Sequence, residues 1–167
     1  MSILFRKAGI SDAKGIAYVH YKAWIEAYTG LIHEDYLAAR SQEKSMGIFE
    51  RSGCKNIIVA CSDEGIIGFC IYDKARDSDL PPSFGEIQAI YVLEKYQRMG
   101  VGHGLLQSAF EELEAEGYLS VCLWVLKANK KGIGFYEKNG FHFDGREKED
   151  VLVTPVIELR YIRNIVA

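Results

Sequence analysis

Cysteine, proline and net charge are all scarce in this chain. Its 167 residues hold four cysteines and three prolines, and the formal net charge is -3. Cys54, Cys61, Cys70 and Cys122 form no C-x-x-C pair and show no metal-ligand spacing. No metal site and no redox dithiol is therefore expected. Cys61, Cys70 and Cys122 lie in apolar, strand-like contexts, and all four are read as reduced thiols of a cytoplasmic protein. Lysine and arginine are scattered among acids with no basic stripe, so no nucleic-acid partner is expected. No apolar run approaches the ~20 residues that span a bilayer, and the first fifteen residues have no apolar signal core, so no membrane partner is expected either. No repeat, low-complexity tract or long linker divides residues 1–167, which read as a single domain. Hydrophobic residues at 49% and charged residues at 26% are ordinary for a chain that buries a core.

What is present alternates between two periodicities. Residues 3–7 read as a short strand. Ile16, Val19, His20, Ala23, Trp24 and Ala27 then recur at helical spacing up to Gly30, with Ser11 or Asp12 placed to cap the start. Residues 33–52 read as a second helix or two short ones. The β-branched runs around Asp63-Glu64-Gly65 read as a hairpin. A loop with two prolines leads to the strand "FGEIQAIYVL". A helix follows, with Leu105, Leu106, Ala109, Phe110 and Leu113 on one face and a stop at Gly117. The strand "LSVCLWVLK", a short helix ending at Gly140, and two strands, "FHFDGREKED" and "VLVTPVIELRYI", complete the chain. Pro155 suits an edge or a bulge. The order β-α-α-β-β-β-α-β-α-β-β implies a mixed sheet with helices on its faces.

The stretch "YQRMGVGHGLL" places Gly100, Gly102 and Gly104 at a helix entrance. A helix N-terminus leaves its first N–H groups without partners, and its dipole favours an anion. Residues lacking a Cβ let those amides approach a ligand closely. A dinucleotide fold would place such glycines directly after the first strand, with an acid near the end of the next; here the preceding strand ends near Val92 and is not the first. A G-K-[ST] phosphate loop is absent. A tight turn that packs the helix on the sheet is the other reading of the glycines alone.

Two further segments decide between them. Gln97-Arg98-Met99-Gly100-Val101-Gly102 resembles the Q/R-x-x-G-x-G/A signature of the GNAT N-acetyltransferases. "NKKGIGFYEKNGF", starting at Asn129, resembles that family's second signature. "GEIQAIYV", the opening "VHYKAWIEAYTGLIHEDYL" and the element order also match, so the resemblance covers essentially the whole chain.

The resemblance implies a single-domain α+β GNAT fold with a mixed, mostly antiparallel sheet, splayed at the acyl-CoA site. It implies acetyl-CoA as co-substrate, with its pyrophosphate on the amides of Arg98, Met99, Gly100, Val101, Gly102, His103 and Gly104. Arg98 and Lys130 could add charge. The pantetheine arm would pair with the backbone of Ile90, Tyr91 and Val92, and Asn129 would contact it while also capping its helix. Tyr136 aligns with the family tyrosine that donates a proton to the leaving thiolate. Glu86 aligns with a strand glutamate used as base, where a half-buried carboxylate could have a raised pKa suited to the task, an exposed strand-start residue being the other reading, and Gln88 shares its face and could hold a relaying water. Trp24, Tyr28, His33 and Tyr36 could line the acceptor pocket. His20 is read as a packed or exposed histidine without a catalytic role. Trp124 stands where relatives that acetylate protein N-termini often carry glutamate, which argues against that role. The expected activity is transfer of acetyl to a primary amine, of a small molecule or a protein, by direct attack. A longer acyl donor and an acyl-CoA sensor without turnover are the alternatives. Many relatives form dimers, so a homodimer is compatible with the resemblance.

Overall fold

The computed structural model describes residues 2–166. Seven strands form one sheet in the order β1-β2-β3-β4-β5-β7-β6. Along the chain they are β1 (Leu4–Lys7), β2 (Ile57–Ser62), β3 (Gly65–Lys74), β4 (Phe84–Val92), β5 (Ser120–Leu126), β6 (His142–Leu152) and β7 (Thr154–Asn164). Between them lie α1 (Ala13–Tyr28), α2 (Glu34–Ala38), α3 (Gln42–Ser52), α4 (Val101–Ala115) and α5 (Lys130–Lys138). The architecture is the expected α+β arrangement, and all neighbouring strands are antiparallel except β4 and β5.

Strand alternation gives the sheet two apolar faces. Ile58, Ala60, Cys70, Tyr72 and Ile87 pack against the buried stripe of α4, Leu105, Leu106, Ala109 and Leu113. Ile57, Val59 and Phe69 pack on the other face, against Ile16, Val19 and Ala23 of α1 and Phe49 of α3. α3 starts at Ser41, whose hydroxyl accepts from the Lys44 amide at 3.2 Å, and stops at Gly53 in the left-handed region.

The two readings offered for residues 33–52 resolve into two helices. His33 Nδ1 accepts the Asp35 amide at 3.1 Å and so caps α2. The final hairpin differs from expectation. The break anticipated after Asp150 falls at Val153, which takes φ 70°, and β6 runs on to Leu152. Pro155 faces Val151 of β6 and lies beyond the reach of β5, whose pairing with β7 extends only to Glu158. Its missing N–H is therefore not needed by a second neighbour.

The sheet is interrupted in the middle. β4 and β5 pair only from Phe84↔Ser120 to Glu86↔Cys122. β4 also bulges: Ile71 faces Ala89 and Tyr72 faces Ile87, so Gln88 is the extra residue. Beyond Glu86 the β5-facing edge of β4 has no strand partner.

Candidate active site

The cavity at this splay has a volume of about 920 Å³. Its floor is β4 at Ile90, Tyr91 and Val92, and its rim is the start of α4 and α5.

A short 3-10 turn over Glu94–Tyr96 swings the chain from β4 to α4. Arg98 and Gly100 both take left-handed backbone, at φ 64° and 79°. Gly100 is the N-cap of α4, and its carbonyl accepts the Gly104 amide at 3.0 Å. The first amides of α4 thus have no acceptor within the helix and open on the cavity. Such a terminus suits an anion.

The three glycines have three different causes. Gly100 needs its positive φ, with open space where a Cβ would be. A Cβ on Gly102 would lie 2.8 Å from Phe135 Cζ, and one on Gly104 would collide with the Phe5 ring. The expectation of a uniformly bare cradle is corrected here. One glycine shapes the turn, and two let α4 pack against α5 and β1.

The signatures meet through side chains. Gln97 Nε2 donates to the Val92 carbonyl at 3.2 Å, and Gln97 Oε1 accepts from Lys131 Nζ at 2.5 Å. His103 Nδ1 lies 2.8 Å from Asn139 Oδ1. Asn129 Oδ1 accepts the Gly132 amide at 3.0 Å as the cap of α5. Gln97, Arg98, Val101, His103, Asn129 and Lys130 all face the cavity. Met99 is exposed, and neither it nor Gly104 contributes to the lining.

Tyr136 projects from α5 into the same space, edge-on to Phe135 at 5.4 Å and Phe141 at 5.9 Å. Burial, reinforced by Tyr28 and Cys70, pushes its phenol far above the ordinary tyrosine range, so it stays protonated. Tyr91 is shifted the same way, chiefly by burial and then by Tyr28. Tyr28, Tyr91 and Tyr136 form the phenolic wall of the cavity.

Glu86 is elsewhere. Its side chain is 1% exposed, and both oxygens are engaged by Arg76. Arg76 Nη2 is 2.7 Å from Oε2, and the Arg76 Nε and backbone amide donate to Oε1 at 3.2 and 3.1 Å. Glu86 and Gln88 do not line the cavity. The expected free, half-buried carboxylate is corrected to a buried partner of an ion pair. The cause is Arg76, ten residues upstream in a loop whose approach no strand pattern announces.

Of the anticipated acceptor residues, Tyr28 alone lines the cavity. Trp24 stacks on it at 4.7 Å and on Tyr36 at 5.6 Å. His33 is spent on the α2 cap. His20 is packed, as expected, edge-on to Phe49 and Phe69. Ala23 and Ala27 also line the cavity. Small residues four apart, flanked by Trp24 and Tyr28 in the sequence, were the signal for that gap.

The opposite flank of the splay is held by Arg160 of β7, whose side chain is 6% exposed. It binds Asp79 through two hydrogen bonds of 2.9 Å, Asp77 at 3.0 Å and Asp144 at 2.7 Å. Trp124 Nε1 donates to the same Asp77 at 2.9 Å. The loop at residues 75–83 is pinned by this arginine.

An open-edged strand, a helix start whose free amides suit an anion and a buried tyrosine within one cleft fit a class, the acyltransferases of the GNAT fold. Residues 19–141 match the acetyltransferase (GNAT) family, and the chain belongs to it. It is 33% identical over 136 residues to the uncharacterized N-acetyltransferase YuaI of Bacillus subtilis, covering 81% of this chain and 78% of that one. It is 27% identical over 161 residues to a spermidine N(1)-acetyltransferase of Thermoplasma acidophilum, covering 92% and 96%. The PaiA N-acetyltransferase of Thermoplasma acidophilum, solved in complex with coenzyme A, superposes with a TM-score of 0.75 at 25% identity, over 98% of this chain and 99% of that one.

Proposed function

We propose that the protein transfers an acetyl group from acetyl-CoA to a primary amine by direct attack, without a covalent enzyme intermediate. The observation that carries this reading is Tyr136, a phenol held protonated in the cleft between the anion-binding turn and the open edge of β4. The relative solved with coenzyme A and the spermidine-acetylating relative support the donor and the amine.

The amides of Val101, Gly102 and His103 hold the pyrophosphate, with Arg98 and Lys130 at the rim. The backbone of Ile90, Tyr91 and Val92 pairs with the pantetheine arm as a further strand would. Asn129 Oδ1 is occupied by the cap, which leaves its Nδ2 to contact that arm. The acetyl thioester then lies at the phenolic wall. The amine attacks the thioester carbon, the C–S bond breaks, and Tyr136 donates its proton to the departing sulfur. The acceptor attacks as the free amine, its ammonium proton lost to solvent and not to Glu86, whose carboxylate Arg76 already holds, and the N–H proton released as the amide forms returns to the Tyr136 phenolate. The cytoplasm, where thiols stay reduced, suits a chain whose four cysteines are all free.

Incubation with acetyl-CoA and a broad panel of amines, following release of free thiol, tests the proposal. Transfer to at least one amine is expected. Tight acetyl-CoA binding with no transfer to any amine would instead favour a sensor, and transfer only from longer thioesters would change the donor.

A further inference from the structure

Arg40 lies just past α2, half-buried, on the face of α1 that carries His20, Trp24 and Tyr28. Its guanidinium carbon is 4.5 Å from the Trp24 ring centroid. Its Nη2 is 3.4 Å from His20 Nε2. Arg6, Arg76 and Arg160 each have a carboxylate partner. Among the described residues, no carboxylate lies within ion-pair distance of Arg40. His20 does not compensate the charge. It contacts Ser45 Oγ at 2.8 Å through Nδ1, and it is neutral at pH 7.

A half-buried guanidinium without a counter-ion is costly unless something supplies the negative charge. Arginine's planar fork suits a carboxylate or phosphonate in particular. The position matters too. Trp24, on whose face Arg40 rests, stacks against Tyr28 of the cavity wall. From a different element, Glu158 of β7 bears on Tyr28 as well, and its side chain is 22% exposed. Arg40 stands behind Trp24, outside the cavity lining itself, and its charge bears on Tyr91 of the aromatic wall, while the carboxylate that bears on Tyr28 is shared with Lys148.

We propose that Arg40 selects an acceptor carrying a carboxylate or phosphonate beside the amine to be acetylated, so that the acceptor is a zwitterion of the amino-acid type. This rests on the acetyl-transfer reading above. A polyamine, with positive charge alone, would meet Arg40 as a like charge.

The test pairs amines that differ only in the acid: phenylalanine with phenethylamine, methionine with 3-(methylthio)propylamine, and 4-aminobutyrate with butylamine. Binding to coenzyme A-saturated protein is measured by calorimetry, and turnover with acetyl-CoA is measured separately. At least one acid should bind and react 10-fold or more better than its partner. Arg40→Gln should remove that preference, and Arg40→Lys should keep part of it. Equal or better use of the acid-free amines overturns the proposal. So does a preference that survives in Arg40→Gln. The wild-type comparison stands even if Arg40→Gln folds poorly. Binding preference without turnover would overturn the transferase reading and leave the anion site in place.

Discussion

A Cβ on Gly102 would sit 2.8 Å from Phe135 Cζ, so the first turn of α4 and the middle of α5 share one contact surface. The two family signatures are thus one packed unit. Gly102→Ala should overpack it at about 1–3 kcal/mol and weaken coenzyme A binding, and Phe135→Leu in the same chain should restore part of both. Gly100→Ala meets no atom, and its cost should be only the left-handed backbone, about 1–2 kcal/mol. Denaturant midpoints and calorimetric titration of the three variants separate the two causes. Full binding by Gly102→Ala would reject the shared surface.

Tyr136→Phe keeps the ring against Phe135 and Phe141 and removes the proton. Turnover should fall by ~10²-fold or more, with acetyl-CoA affinity retained. A wild-type rate would remove Tyr136 from the chemistry.

Arg76 caps a carboxylate that is almost wholly buried. Arg76→Ala should destabilise the fold by about 1–3 kcal/mol, because Glu86 is left with one backbone donor. Glu86→Gln should mainly change stability, leaving the shape of the pH–rate profile as in wild type. A profile that loses its acidic limb in Glu86→Gln would return the base role to this residue.

His20 is held at about 4, first by burial and then by Arg40. The unfolded chain takes up that proton near 6.5, and the folded chain refuses it until about 4. His20 thus contributes stability that is fully present above pH 6.5 and is lost as pH falls toward 4. The loss should be on the order of 2–3 kcal/mol. Urea midpoints at pH 7.5 and pH 4.5 should draw closer together in His20→Gln than in wild type. Equal spacing would show that His20 does not titrate in this way.

Among the described residues, Arg160 makes the ion pairs of Asp77, Asp79 and Asp144. Arg160→Met should cost up to the ~3–5 kcal/mol seen on breaking buried pairs, because Asp144 is left buried while Asp77 and Asp79 can regain water. A melting temperature lowered by roughly 6–20 °C is the expected outcome, and a wild-type melting temperature would contradict it.

The sequence carried much of the fold because its signals are local. The α4 stripe Leu105, Leu106, Ala109, Phe110 and Leu113 and the β2–β3 alternation needed only neighbouring residues to be read. The two family signatures were legible for the same reason, since Gln97–Gly102 and Asn129–Phe141 are short contiguous strings. What escaped was set by distant partners. Glu86 reads as a strand-start carboxylate until Arg76 folds over it from a loop. Asp77 and Asp79 read only as part of a loop until Arg160 reaches them from more than eighty positions away in sequence. That Gly102 and Gly104 also make room for aromatic rings escaped because no periodicity reveals Phe135 or Phe5 against them. Arg40 follows two alanines at a helix end, with no pattern to mark it. Val153 moved the last turn because a β-branched residue in left-handed backbone runs against local preference.

The three residue pairs that join β4 to β5 also act as a seam in the mechanical sense. Strands β1 to β4 form one ladder and β5 to β7 another, with backbone continuity between them only from Phe84 to Glu86. A tilt of a few degrees about that short joint would widen or narrow the cleft without breaking a strand pair in either half. The two charged clamps, Arg76 on Glu86 and Arg160 on Asp77 and Asp79, both draw on the loop beside the joint. They brace one end of that joint, while Gln97 on Lys131 and His103 on Asn139 tie the two halves together across the cleft at the other.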